Sequence, residues 1–240
     1  MCGIVGAISG RNVVPILIEG LKRLEYRGYD SAGVAVVNGT LQRVRCSGRV
    51  AELEKLAVAR GLEGSVGIAH TRWATHGIPS ERNAHPHVSG GVSVVHNGII
   101  ENHLALKAQL KARGHAFSSE TDSEVFAHLV ADAVEAGQSL PDAVRAAVAQ
   151  VKGTYALVVV AEQDPSCIVA TREAQPMVLG LSQGQNFVAS DVPALLEHTR
   201  DFVYLGEGDL AVLTAAKVEI FDRAGLQVER PHRRIDWTPM

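Results

Sequence analysis

The sequence has few cysteines, few aromatic residues and no long apolar run. Its 240 residues include three cysteines, two tryptophans, four tyrosines and five phenylalanines. The odd number of cysteines and the lack of any Cys-x-x-Cys pair argue against a disulfide framework and against a thiolate zinc site. The longest apolar runs, such as Ala156–Ala161, are too short to span a bilayer, and the N-terminus does not read as a secretory signal. We therefore expect a cytoplasmic protein without membrane segments.

The charge balance is that of an ordinary globular protein. The formal net charge is -3 at pH 7, with 46% hydrophobic and 20% charged residues. The basic excess that would attract nucleic acid is missing, so no nucleic-acid partner is expected. The ten histidines include no His-Glu-x-x-His motif and no other ligand spacing. We predict neither a metal site nor a cofactor.

The hydrophobic periodicity predicts an α+β protein. Amphipathic helices are predicted over residues 14–26, 50–60, 104–113, 122–136 and 140–151. Strands are predicted over 3–8, 66–69 and 92–96, as a hairpin around Asn38-Gly39, and as seven short segments between residues 156 and 221. Two antiparallel sheets covered by helices would bury all these faces, although periodicity alone leaves other α+β arrangements open. The proline-containing tail looks like the start of a linker.

Cys2 differs from the other cysteines because of its position. If Met1 is removed, the α-amine of Cys2, with a pKa of about 7.7–8.0, lies beside its own thiol, with a pKa of about 8.5. One residue would then supply both nucleophile and general base, as N-terminal threonine nucleophiles do. Cys46 and Cys167 lie in or beside strand-like stretches and are expected to be buried and inert. Position alone does not separate function from chance for Cys2.

An amidase nucleophile also needs hydrogen-bond donors for the developing oxyanion. Asn97 and Gly98 could supply a side-chain amide and a backbone N–H, but Asn-Gly is also a common hairpin turn. Asn38-Gly39 is followed by a plausible return strand, whereas Asn97-Gly98 is followed by a few residues and then a predicted helix. The second pair is the poorer hairpin, so both interpretations stay open.

A glutamine site would need a cation for the α-carboxylate and an anion for the α-ammonium. Arg72 suits a carboxylate because its guanidinium can bind it with two hydrogen bonds, but it could also be a surface arginine. Asp122 suits the ammonium, but it also lies in Thr121-Asp-Ser-Glu124, which reads as a helix capping box. Arg27 lies in a polar loop to which the residues alone assign no role.

Six segments together resemble one known family. They are Met1–Ala7, Leu24–Gly33, Gly67–Gly77, Asn83–His87, Val94–Asn102 and Glu120–Glu124. In this order they look like the glutaminase domain of the glutamine–fructose-6-phosphate aminotransferase family, a class II amidotransferase domain. The likeness runs from Cys2 to about Phe221.

The resemblance implies a four-layer αββα fold of the N-terminal-nucleophile hydrolase type over residues 2–225, with residues 226–240 as the start of a linker. It implies hydrolysis of L-glutamine through a thioester on the nucleophile. By matching position, the implied roles are the nucleophile (Cys2), the oxyanion hole (Asn97, Gly98), the substrate carboxylate and ammonium sites (Arg72, Asp122), the closing loop (Trp73, Thr75, His76, Gly77) and support of the nucleophile (Arg27).

The family also implies partners that this chain does not contain. Its members continue into sugar-isomerase domains, which bind fructose 6-phosphate and use the ammonia to make glucosamine 6-phosphate. Two alternatives stay open: the glutaminase domain of a sister family such as amidophosphoribosyltransferase, and a glutamine-binding sensor without turnover. The complete set of candidate site residues favours an enzyme over a sensor, because a sensor would not need the nucleophile.

Overall fold

Two antiparallel sheets form the centre of this computed structural model, which describes residues 2–74 and 77–236. The described residues contain the helices α1 Val14–Leu24, α2 Val50–Ala59, α3 His103–Ala112, α4 Glu124–Glu135 and α5 Leu140–Val148. Their strands are β1 Gly3–Ser9, β2 Ser31–Asn38, β3 Thr40–Ser47, β4 Val66–Arg72, β5 His87–Ser89, β6 Val92–Ile100, β7 Gly153–Ala161, β8 Asp164–Glu173, β9 Val178–Ser182, β10 Gln185–Ala189, β11 Asp201–Tyr204, β12 Leu210–Leu213, β13 Val218–Phe221, β14 Gln227–Val228 and β15 His232–Arg234.

The strands are divided between two sheets. Sheet A has the order β15-β11-β9-β10-β1-β4-β2-β3, and sheet B has the order β14-β13-β12-β8-β7-β6-β5. Neighbouring strands run antiparallel, including the central pairs β1–β4 and β6–β7. The predicted hairpin is confirmed, because β2 and β3 pair from Ser31–Ser47 to Asn38–Thr40.

Three buried clusters define the layers. One joins α1 and α2 to the outer face of sheet A, one lies between the sheets, and one joins α3, α4 and α5 to the outer face of sheet B. Strand alternation explains the division: Val5 and Ala7 belong to the outer cluster, whereas Ile4 and Ile8 point between the sheets. Each fully buried aliphatic side chain contributes about 1.5–3 kcal/mol. The expected αββα sandwich is therefore confirmed.

Several strands extend further than predicted, and two of these extensions carry residues of interest. The strand predicted over 92–96 continues to Ile100, so Asn97 and Gly98 pair with β7 opposite Ala156 and Tyr155. The strand predicted over 66–69 continues to Arg72. In both cases polar residues continue a strand because the neighbouring strands supply the backbone hydrogen bonds.

The helices lie where they were predicted, with shifted ends. The first ends at Leu24 and is followed by a 3-10 turn, the fourth begins at Glu124 instead of residue 122, and the fifth ends three residues early, at Val148. None of the described helices is long and apolar enough to cross a membrane.

The tail adds short strands to both sheets. Gln227–Val228 pairs with β13 in sheet B, and His232–Arg234 pairs with β11 in sheet A. A linker starting at residue 226 stays a prediction.

Candidate active site

The space between the sheets becomes polar at one end. Cys2 lies two residues before Ile4, which packs between the sheets, and Asn97 lies two residues after Val95, which packs there as well. His70 follows the inward-facing apolar residues of β4 at the same spacing. Because successive side chains of a strand point to opposite faces, these three side chains reach the same end of the inter-sheet space.

A cavity of about 300 Å³ opens at this end. Seven of the predicted residues line it: Cys2, Arg27, Arg72, Trp73, Asn97, Gly98 and Asp122. Gly77 does not line the cavity but contacts Arg72 behind it. Thr75 and His76 lie outside the described residues. Residues far apart in the sequence therefore meet around one concave surface of the size that binds small molecules.

The thiol of Cys2 is the accessible thiol among the three cysteines. Cys2 is partly exposed, whereas Cys46 and Cys167 are 6% and 3% exposed. The backbone N–H of Trp73 donates to Cys2 Sγ at 3.2 Å. Burial raises the pKa of Cys2, and this hydrogen bond opposes the rise. Burial also raises the pKa of Cys167, to about 12, which keeps that thiol protonated and inert.

Asn97 and Gly98 face the nucleophile from inside β6. Asn97 Nδ2 donates to the carbonyl oxygen of Cys2 at 3.1 Å. Gly98 has φ of 122°, and a Cβ there would lie 2.1 Å from the carbonyl oxygen of Thr154 on β7. The position therefore requires glycine, and the hairpin alternative for Asn97-Gly98 is wrong because both residues pair within the sheet.

Arg72 ties the cavity to the loop that follows β4. Its guanidinium is 4% exposed and donates to the carbonyl oxygens of Gly77 at 3.0 Å and Ile78 at 3.3 Å. Asp30 lies 3.8 Å from the same guanidinium, and its carboxylate accepts a hydrogen bond from the backbone N–H of Ala74. The surface-arginine alternative is wrong. Asp30, which the sequence did not single out, holds the beginning of the loop.

Trp73 and Arg27 form the rim of the cavity. The Trp73 side chain is 55% exposed and lies against Gly28, where a Cβ would come within 2.4 Å of the indole. Gly28 has φ of 102°, so the backbone also favours glycine there. Arg27 pairs with Asp191 at 3.3 Å. The rim therefore depends on a close approach between the segment after α1 and the segment after β4.

Asp122 is held by a strand and not by a helix cap. Its Oδ2 accepts a hydrogen bond from the backbone N–H of Ile100 at 2.7 Å, and the residue is 4% exposed. Helix α4 begins two residues later, and its N-cap, Ser123, makes no side-chain cap hydrogen bond. Glu124 instead accepts hydrogen bonds from the N–H groups of residues 118 and 119. The capping-box interpretation is therefore wrong: these carboxylates brace the segment before the helix.

Four buried histidines lie at the cavity: His85 and His96 line it, whereas His70 and His87 do not. Burial lowers the pKa of His70 and His87 to about 3 and that of His85 well below its usual value, so these three rings are neutral. No role was predicted for His70, although its spacing of two from Arg72 places both side chains on one face of a strand. Within residues 2–74 and 77–236, no cluster of His, Cys, Asp or Glu is arranged to hold a metal ion.

Solved structures share this fold. The glutamine phosphoribosylpyrophosphate amidotransferase of B. subtilis superposes with a TM-score of 0.79 at 24% identity, over 92% of this chain and 49% of that one. A glutamine aminotransferase class-II domain protein from Silicibacter pomeroyi superposes with a TM-score of 0.63 at 18% identity, over 92% of this chain and 99% of that one. At these identities the likeness shows the fold alone.

Sequence relatives are much closer. Proteins named glutamine–fructose-6-phosphate aminotransferase [isomerizing] from Shigella flexneri, Escherichia coli K12 and Haemophilus influenzae are 55% identical over 232 residues. The match covers 96% of this chain but 38% of each relative, so the chain spans well under half of their length. The family model described as "Glutamine amidotransferase domain" matches residues 70–197. The chain therefore belongs to the glutamine amidotransferase domain family.

Proposed function

We propose that this chain hydrolyses the side-chain amide of L-glutamine with Cys2 as the nucleophile. The observation that carries the proposal is the side-chain amide of Asn97, whose Nδ2 lies 3.1 Å from the carbonyl oxygen of Cys2 inside a cavity that Gly98 also lines. A thiol with two adjacent N–H donors is the arrangement that acyl transfer through an oxyanion needs.

The proposed reaction begins with proton transfer from the thiol. Burial raises the pKa of Cys2, so deprotonation needs a base, and the α-amine of Cys2 serves once Met1 has been removed. Sγ attacks the side-chain carbonyl carbon, and the C=O electron pair moves to the oxygen, which accepts hydrogen bonds from Asn97 Nδ2 and the Gly98 N–H. The tetrahedral intermediate then collapses and its C–N bond breaks. The departing nitrogen takes a proton from the α-ammonium of Cys2 and leaves as ammonia. A water molecule then gives a proton to the α-amine of Cys2, and its oxygen attacks the thioester carbon. The C–S bond breaks, the sulfur takes the proton back from the α-amine, and glutamate is released.

Recognition of the rest of the substrate is assigned to opposite charges in the same cavity. Arg72 binds the α-carboxylate with its guanidinium, and Asp122 binds the α-ammonium with its buried carboxylate. Trp73, Thr75, His76 and Gly77 belong to the loop that closes over the substrate, and Arg27 supports the rim. Because Arg72 also holds the carbonyl oxygens of residues 77 and 78, substrate binding and loop position are coupled through this side chain.

In the whole protein, the ammonia passes to sugar-isomerase domains that bind fructose 6-phosphate and form glucosamine 6-phosphate in the cytoplasm. The 55% identity to aminotransferases of that name supports this acceptor over the phosphoribosyl acceptor of the more distant structural relative. Fructose 6-phosphate should leave ammonia release by these 240 residues unchanged, because its site is assigned to the sugar-isomerase domains and not to the glutaminase domain. Clear stimulation by the sugar phosphate would contradict that assignment.

The test compares the three cysteines in ammonia release from L-glutamine, using chain shown by intact mass to lack Met1. Cys2→Ala should abolish release, whereas Cys46→Ala and Cys167→Ala should retain most of it, because those thiols are buried away from the cavity. Acid-quenched wild-type protein should carry a γ-glutamyl adduct on Cys2. Equal losses of ammonia release from all three substitutions, or full activity of Cys2→Ala, would contradict the proposal.

A further inference from the structure

We propose that His70 is a positioning residue that sets which way the Asn97 amide faces. The inference rests on the proposed function of Cys2 and Asn97 and adds a residue to it. His70 lies on β4 of sheet A and Asn97 on β6 of sheet B, so the contact joins the two sheets at the catalytic end. His70 does not line the cavity, so its effect on the reaction is exerted through Asn97.

The hydrogen bonds of His70 identify its tautomer. Its Nε2 lies 3.1 Å from the backbone carbonyl oxygen of His96 and 2.9 Å from Oδ1 of Asn97. A carbonyl oxygen can only accept, so Nε2 must carry the proton. The opposite nitrogen, Nδ1, is fully buried and makes no hydrogen bond to any described residue. Because a neutral ring has one N–H, Nδ1 is left unprotonated and His70 is a donor at Nε2 only.

The ring is also kept from gaining a second proton or turning over. His70 is 1% exposed, and burial lowers its pKa to about 3. It stacks on His85 with ring centroids 4.0 Å apart and planes 20° apart. His85 is held in turn, because its Nδ1 accepts the backbone N–H of His96 at 3.3 Å. At neutral pH the contact toward Asn97 is therefore always an N–H donor.

A fixed donor decides the orientation of the amide. The two ends of an asparagine side chain have nearly the same shape but opposite hydrogen-bonding character. With Oδ1 accepting from His70, the NH₂ group must face Cys2, where it donates to the backbone carbonyl oxygen. The flipped amide would set two donors against each other at His70 and would turn an oxygen toward the developing oxyanion. His70 thus keeps the amide in the orientation that stabilises the transition state.

The test separates oxyanion stabilisation from substrate binding. L-Glutamate γ-semialdehyde should add the Cys2 thiol. The thiol proton passes to the α-amine of Cys2, an S–C bond forms, and the C=O electron pair moves to the oxygen. That oxygen then occupies the oxyanion position, and the adduct has no leaving group to expel. L-Glutamate, the product, is held mainly through its α-carboxylate and α-ammonium. The variants are His70→Phe, which keeps a flat ring without the donor, and His70→Gln, whose amide nitrogen can replace Nε2. His115→Phe, at a partly buried histidine that bonds Asp132 away from the cavity, is the matched control.

We expect His70→Phe to lower kcat and weaken aldehyde binding by about 10²-fold, within the range for loss of an oxyanion donor. KM and glutamate binding should change by less than about threefold. His70→Gln should recover at least about tenfold of the loss, and His115→Phe should behave as wild type. In Asn97→Ala, adding His70→Phe should cost little more, because both changes remove one interaction.

Equal weakening of aldehyde and glutamate by His70→Phe, or full additivity with Asn97→Ala, would overturn the inference in favour of a general folding role. Nitrogen NMR should show the Nε2–H tautomer between about pH 6 and pH 8, and an Nδ1–H tautomer would also overturn it. The proposed function has its own test, and it fails if Cys2→Ala still releases ammonia. If His70→Phe keeps wild-type kcat while Asn97→Ala loses activity, only the role of His70 is refuted.

Discussion

Mild acid should destabilise this domain through the histidine cluster formed by His70, His85 and His87. The rings contact one another, with centroids 4.0 Å apart for His70 and His85 and 4.6 Å for His85 and His87. They are 1%, 4% and 1% exposed. Burial lowers the pKa of His70 and His87 to about 3 and that of His85 well below its usual value. All three become protonated near pH 6.5 only when the chain unfolds.

The sign and size of the effect follow from proton linkage. Between about pH 3 and pH 6.5 the unfolded chain binds more protons than the folded one, so the free energy of unfolding falls as pH falls. His70 and His87 should each cost about 2 kcal/mol between about pH 7.5 and pH 5, which gives about 4 kcal/mol together. The lowered pKa of His85 adds to this in the same direction. A typical domain has about 5–15 kcal/mol in total. Half-buried His198, with its pKa lowered by burial, adds in the same direction.

Carboxylates act at lower pH and can be told apart. The largest single influence on the pKa of Glu124 is burial, which raises it. Hydrogen bonds from His128 and Ser119 lower the pKa by more in total, so the net shift is downward. A carboxyl group with a lowered pKa stabilises the fold above its unfolded pKa of about 4.5 and loses that contribution only below it. Loss of stability between about pH 6.5 and pH 5 therefore belongs to the histidines.

Urea unfolding followed by far-ultraviolet circular dichroism, at several pH values between about pH 5 and pH 7.5, measures the effect. His87→Gln should reduce the slope of stability against pH by about 1.4 kcal/mol per pH unit below about pH 6. His232→Gln, at an exposed position in the edge strand β15, should leave the slope unchanged. A free energy of unfolding that stays flat across this range, or equal effects of the two variants, would refute the reasoning.

Three further substitutions test the geometry around the cavity. Gly98→Ala should lower the free energy of unfolding by about 2–5 kcal/mol in urea titration, since it combines a strained φ with an overlap at Thr154 O; an unchanged midpoint would contradict the close approach of β6 and β7. Arg72→Lys should raise KM for glutamine about tenfold or more with a smaller change in kcat, because a lysine cannot bind a carboxylate with two parallel hydrogen bonds; a pure kcat effect would argue against carboxylate binding. Gly28→Ala should displace the Trp73 indole, which a shift in its fluorescence emission would report, and an unchanged spectrum would count against the contact.

The sequence was informative where chemistry is local. A cysteine in second place, an arginine in His70-Thr-Arg72 and an Asn-Gly pair after an apolar strand carry their chemistry in their residue types. The resemblance then assigned them roles that stay predictions for each residue. The helices and the Asn38-Gly39 hairpin were predictable for the same reason, because periodicity and turn residues act over short stretches.

The ends of elements depended on partners that lie far away in the sequence. Asn97-Gly98 could be a turn or a strand, and the backbone of β7 decides for a strand by pairing with it. Asp122 could cap α4, but its carboxylate instead accepts a hydrogen bond from the backbone N–H of Ile100. These outcomes come from long-range hydrogen bonds, which local sequence does not encode.

The role of His70 was decided by the tertiary structure alone. As a residue type it could be a metal ligand, a base or a core side chain. Packing against His85 and the oxygens contributed by His96 and Asn97 leave one nitrogen with the proton, and the other without a hydrogen-bond partner among the residues that the structure describes. The sequence determined that a histidine stands beside the candidate machinery. Only the meeting of the two sheets determined which of its nitrogens donates, because burial and hydrogen-bond partners set the tautomer.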